Sequence, residues 1–82
     1  MTPNDHLFLT LIEDPRHEVR TVQNAHSFLH VVIGDRVVEV SRMTVSRCTK
    51  AKWAVLVEER QGPVNHYRLT EKGAEAKELA SV

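Results

Sequence analysis

Little in this chain could staple it together or advertise a partner. It has one cysteine among 82 residues, which excludes an internal disulfide. No apolar run approaches the roughly 20 residues needed to cross a bilayer, and no signal peptide is recognisable at the amino terminus. The expectation is no membrane partner and a reducing, cytoplasmic location. Net charge is also missing: eleven Lys plus Arg balance eleven Asp plus Glu, so the basic excess that by itself announces nucleic acid is absent. Linkers, repeats and low-complexity segments are lacking too. Residues 1–82 therefore read as a single domain, near the lower limit of what one core holds without staples.

What charge there is lies unevenly. Acids gather from Glu13 to Glu18 and from Glu71 to Glu78, whereas Arg42, Arg47, Lys50 and Lys52 run with no acid among them. Any positive field is local. These cations belong to VSRMTVSRCTKAKW, residues 40–53. At about 100° per residue the stretch sorts into two helical faces. Val45, Cys48, Thr49 and Lys52 fall on one side. Met43, Ser46, Arg47 and Lys50, spaced i, i+3, i+4 and i+7, fall on the other. The second stripe is cationic and rich in hydrogen-bond donors, as suits a helix that enters a DNA groove.

Around it the chain punctuates itself. Thr2 is placed to cap a first helix, with Pro3 at its first position, Asp5 three residues after the cap, and Pro15 as its stop. Leu7 with Leu11 and Phe8 with Ile12 make its apolar face. Residues 18–23, EVRTVQ, read as a short strand or an extended link. Residues 53–57 are an apolar strand-like run, 58–65 a polar tip containing Gly62 and Pro63, and 67–69 a return run, which together predict a hairpin over 53–69. Thr70 then caps a final helix whose few apolar contacts are Ala74 and Leu79. Residues 24–40 are ambiguous. They fit a helix with Ala25, Phe28, Leu29, Val32 and Ile33 on one face and Gly34 at its end. They also fit a hairpin pairing 28–33 with 36–40 across Gly34 and Asp35.

The run from Ser41 to Arg47 resembles the turn and recognition helix of bacterial helix-turn-helix repressors, and YRLTEKG after a hairpin resembles the end of the wing in winged-helix regulators of the multiple-antibiotic-resistance and phenolic-acid-repressor types. The resemblance covers about residues 38 to 73. It implies a small α/β (α+β) winged-helix domain that regulates transcription, with helix 42–52 in the major groove and the 53–69 hairpin as wing. It also favours the helix over 25–33, because a helix-turn-helix needs a supporting helix ahead of its recognition helix. In place of the glycine that usually ends that helix, this chain has Ala51 and Lys52.

The implied DNA-binding residues are Arg42, Met43, Thr44, Ser46, Arg47 and Lys50 on the helix, and Arg60, Gln61, Asn65 and His66 near the wing tip. Arg47 can offer guanine a bidentate donor pair, Lys50 can reach a base edge or a phosphate, and the hydroxyls of Thr44 and Ser46 suit phosphate oxygens. Because Arg47 and Lys50 are assigned to the outer face, removing both is expected to leave the core and the stability little changed. The core beneath is expected to be Val45, Cys48, Trp53, Val55 and Leu56. The partner is double-stranded DNA, read by a homodimer. The other reading is a winged-helix module that uses the same surface for a protein partner. No cofactor or metal is expected: His26 and His30 have the i, i+4 spacing of a metal pair but no third ligand. Cys48 and His66 lack the orienting acid a catalytic pair needs, so no enzyme activity is expected.

Overall fold

The computed structural model describes residues 1–59 and 64–80. Their order is helix α1 (Pro3–Leu11), strands β1 (Glu18–Thr21), β2 (Phe28–Ile33) and β3 (Arg36–Ser41), helix α2 (Arg42–Lys50), strands β4 (Ala54–Glu59) and β5 (Val64–Leu69), and helix α3 (Glu71–Ala80). This is a mixed α+β architecture built on an antiparallel sheet of order β3-β2-β1-β5-β4.

Helix α1 starts as its sequence requires. The Thr2 hydroxyl accepts the Asp5 N–H at 3.1 Å, and the Asp5 carboxylate accepts the Thr2 N–H at 3.1 Å, closing a capping box. Phe8, Leu9 and Ile12 are buried, whereas Leu7 is exposed. The buried stripe is thus one position round from a Leu7 and Leu11 face.

The helix expected over 25–33 is not formed; the chain makes the β2–β3 hairpin instead. Ile33 pairs with Arg36, leaving Gly34 and Asp35 as a two-residue turn. Gly34 takes φ +62° while Asp35 is not among the positive-φ residues, the pattern of a II′ turn with glycine first. Alternation decides the outcome. Leu29, Val31 and Val40 are buried on one face and Ile33 and Val38 pack beside them, a period-2 arrangement that covers both halves of the segment. A helix ending at Gly34 would not set Val38 and Val40 beside Val31 and Leu29 as the hairpin does, and β-branched residues at this density favour the pleated form.

Helix α1 packs on α2 and on α3, and α2 packs on β2, β3 and β4. Phe8, Leu9, Ile12, Val19, Leu29, Val31, Val40, Val45, Cys48 and Ala54 form the core, with Trp53, Tyr67 and Leu69 partly buried against it. The Phe8 and Tyr67 rings meet edge to face, 5.9 Å apart. Val55 and Leu56 are exposed, so the core under α2 comes from β2, β3 and Ala54 rather than from the body of β4. Trp53 is half-buried at the junction of α2 and β4.

Two helix ends are set by specific contacts. Helix α2 stops at Lys50, two residues before its expected end. Lys52 adopts φ +64°, its N–H bonds the Thr49 carbonyl at 3.1 Å, and the Trp53 N–H bonds the Cys48 carbonyl at 3.0 Å. This is a Schellman motif with lysine in the left-handed position usually held by glycine. Lys52→Gly is therefore expected to stabilise the domain by about 0.5 to 1 kcal/mol, less whatever glycine gains in the unfolded chain; denaturant titration checks it. Helix α3 begins with the Thr70 hydroxyl accepting the Gly73 N–H at 2.9 Å and donating to the Lys52 carbonyl at 2.6 Å. Its buried position is Gly73, and Leu79, expected as an apolar contact, is 76% exposed.

Candidate nucleic-acid interface

Helix α2 leaves β3 without a loop. The Ser41 hydroxyl accepts the Met43 N–H at 3.2 Å, and the Arg42 N–H bonds the Ser27 carbonyl at 3.0 Å. Its first turn holds no acid. Thr44, Val45 and Cys48 are buried, while Arg42, Met43, Ser46, Arg47 and Lys50 are exposed. The outer stripe read from the sequence is therefore present, and Met43, Ser46, Arg47 and Lys50 line one shallow groove along it. Thr44 departs from expectation. It is 2% exposed and sits on the inner side, where its hydroxyl has no access to a phosphate.

Arg47 is not simply solvated. Its Nε donates to Asp5 Oδ1 and Oδ2 at 3.0 and 3.1 Å, and its Nη2 donates to Asp5 Oδ1 at 2.7 Å. Nη2 also lies 3.5 Å from the Thr2 hydroxyl. Asp5 is 1% exposed, whereas the Arg47 side chain is 44% exposed. Burial raises the Asp5 pKa, but hydrogen bonds from Arg47 and from Thr2 outweigh that, and the carboxyl ends below its ordinary 3.8. The same hydrogen bonds raise the Arg47 pKa. One carboxylate thus caps α1 and ties α2 to it. The sequence placed Asp5 in the capping box, but nothing in it linked Asp5 to a residue 42 positions away.

The wing residues are distributed differently from expectation. Arg60 and Gln61 lie outside the described residues. Asn65 pairs with Val19, a core residue, and its Oδ1 is buried with no hydrogen-bond partner among the described residues. That places Asn65 on the inner face of the sheet rather than at an outward tip. His66 alternates to the opposite face, and its Nδ1 lies 3.2 Å from the Pro15 carbonyl.

Other reactive side chains are accounted for by packing. Cys48 is fully buried, and desolvation, followed by the nearby Asp5 charge, pushes its thiol up to about 11. It is a protonated core residue at neutral pH. His30 pairs across the hairpin with Glu39, so it shares no helical face with His26. Among the described residues no three His, Cys, Asp or Glu side chains are grouped to hold a metal. Among the described residues no helix is long and apolar enough to cross a membrane. Comparison with known protein families, with curated proteins and with solved structures returned no match.

Proposed function

We propose that the domain binds double-stranded DNA in the manner of a winged helix, with the exposed side of α2 in the major groove. The observation that carries this reading is the outer stripe of α2: Arg42, Ser46, Arg47 and Lys50 are exposed along one helical side, and the carboxylate that Arg47 holds, Asp5, is buried beneath it. A helix is the element whose width suits a major groove about 12 Å across. Lys50 would neutralise a phosphate or reach a base edge, the Ser46 hydroxyl would bond a phosphate oxygen, and Met43, 73% exposed, would offer apolar contact to a thymine methyl group. The β1-β5-β4 part of the sheet, with α2 running directly into β4, supports the wing reading. The β2–β3 hairpin then stands where the supporting helix of a helix-turn-helix would be, and Ser27 braces the start of α2 in its place. One such helix reads about half of a palindromic site, so a homodimer transcriptional regulator is the form this reading implies.

Retention on heparin and binding to mixed-sequence duplexes over a range of salt test the reading. Lys50→Ala is expected to lower the slope of log affinity against log salt by about 0.9, the signature of one lost phosphate contact. If the parent protein shows no salt-dependent affinity for duplex DNA, the exposed Met43 and the neutral overall charge make a protein partner on the same stripe the better reading.

A further inference from the structure

The Asp5 and Arg47 pair does more than tie α1 to α2. A guanidinium carries five N–H donors arranged as two forks, one made by Nε and Nη2 and the other by Nη1 and Nη2. Asp5 takes the first fork, with three donor contacts between 2.7 and 3.1 Å. The Nη2 contact to the Thr2 hydroxyl, at 3.5 Å, is too long to hold the second. The carboxylate is 1% exposed and the arginine 44% exposed, so the carboxylate end of the pair is buried while the arginine side chain is partly open to solvent.

We infer that Asp5 is a positioning residue for base reading, holding one edge of Arg47 so that the Nη1 and Nη2 edge is presented end-on to guanine O6 and N7. The inference rests on the DNA-binding reading above. A mobile arginine on a helix face finds phosphates, because they are the densest charge on the duplex. An arginine clamped by a buried carboxylate loses most of its long-range attraction to phosphate, since the pair is neutral, but keeps two donors in a fixed direction. Asp5 thus exchanges affinity for DNA in general for discrimination at one base pair, and a neutral chain with a short cationic stripe is the kind of molecule in which that exchange matters.

The test uses a pool of randomised duplexes. The parent protein is expected to enrich sequences with a fixed guanine, and affinity for the enriched duplex over a scrambled one defines the specificity ratio. Asp5→Asn keeps an acceptor for the Thr2 N–H but lacks the charge. Its ratio is expected to fall about tenfold or more, within what one bidentate base contact supplies. Its scrambled-duplex affinity is expected to hold or rise, with a salt slope steeper by about 0.9 as the released guanidinium turns to phosphate. A purely structural Asp5 would instead lower both affinities in proportion, and that result, or an unchanged ratio, overturns the inference. Arg47→Lys keeps the charge but has no fork, and is expected to lose the guanine preference at that position alone. Should Asp5→Asn lack the far-ultraviolet circular dichroism of the folded parent, Arg47→Lys decides, and an unchanged preference in that variant sinks the proposal. Duplex binding by the parent with no guanine enriched overturns the role of Asp5 and leaves the DNA reading standing. No duplex binding at all removes both.

Discussion

Gly73→Ala is expected to destabilise the domain by about 2 to 3 kcal/mol, lowering the melting temperature by about 10 to 20 °C. By helix propensity alone the change should help, since alanine is about 1 kcal/mol better than glycine inside a helix. The surroundings reverse the sign. A Cβ at Gly73 would sit 2.1 Å from the Trp53 carbonyl oxygen, 2.8 Å from its carbon and 2.9 Å from Leu69 Cδ1. The Leu69 methyl could turn away, but the Trp53 carbonyl cannot: it is fixed by the Thr70 N–H at 3.0 Å and by the Schellman turn just before it. The helix must therefore lift off the start of β4, straining the Thr70 bond to the Lys52 carbonyl and the ion pair between Lys77 and Glu13. Thermal melting followed by circular dichroism reads the effect. A variant more stable than the parent would mean that α3 does not pack against Trp53.

Asp5→Ala is the second large effect, a loss of about 2 to 4 kcal/mol. The capping box contributes about 1 kcal/mol, and the buried, charge-assisted hydrogen bonds to Arg47 about 1.5 to 3. The pH dependence has a definite sign. The Asp5 pKa is lower in the folded protein than its ordinary 3.8, so its contribution is fully present above that value and is lost as pH falls through the lower folded one. Denaturant titrations at pH 7 and near pH 2 should show the parent and Asp5→Ala converging in acid. An equal gap at both pH values would mean that the carboxylate charge contributes nothing. The same contact corrects the expectation that Arg47 and Lys50 can be removed together without cost. Lys50→Ala should stay within about 0.5 kcal/mol of the parent, but Arg47→Ala strands a buried carboxylate and should melt well below Lys50→Ala.

The local chemistry of this chain was legible wherever neighbouring residues decide the outcome. The Thr2, Pro3 and Asp5 start of α1, the outer stripe of Met43, Ser46, Arg47 and Lys50, the start of β4 at the end of the 40–53 stretch and the Thr70 cap of α3 all depend on residues within about one turn of each other, and each is where periodicity and capping put it. The segment 24–40 was locally legible as well. Its valines and its Gly34 and Asp35 turn fitted a hairpin, and it was the analogy with helix-turn-helix proteins that favoured a helix. What only the tertiary structure decided are the long-range pairings: Asp5 with Arg47, Asn65 turned to Val19, Gly73 against Trp53, and β5 rather than β3 beside β1. Helical and strand periods tell which side of an element is apolar, but not which element covers it. A buried carboxylate meets its arginine, and a glycine its carbonyl, only after the sheet has set the helices side by side.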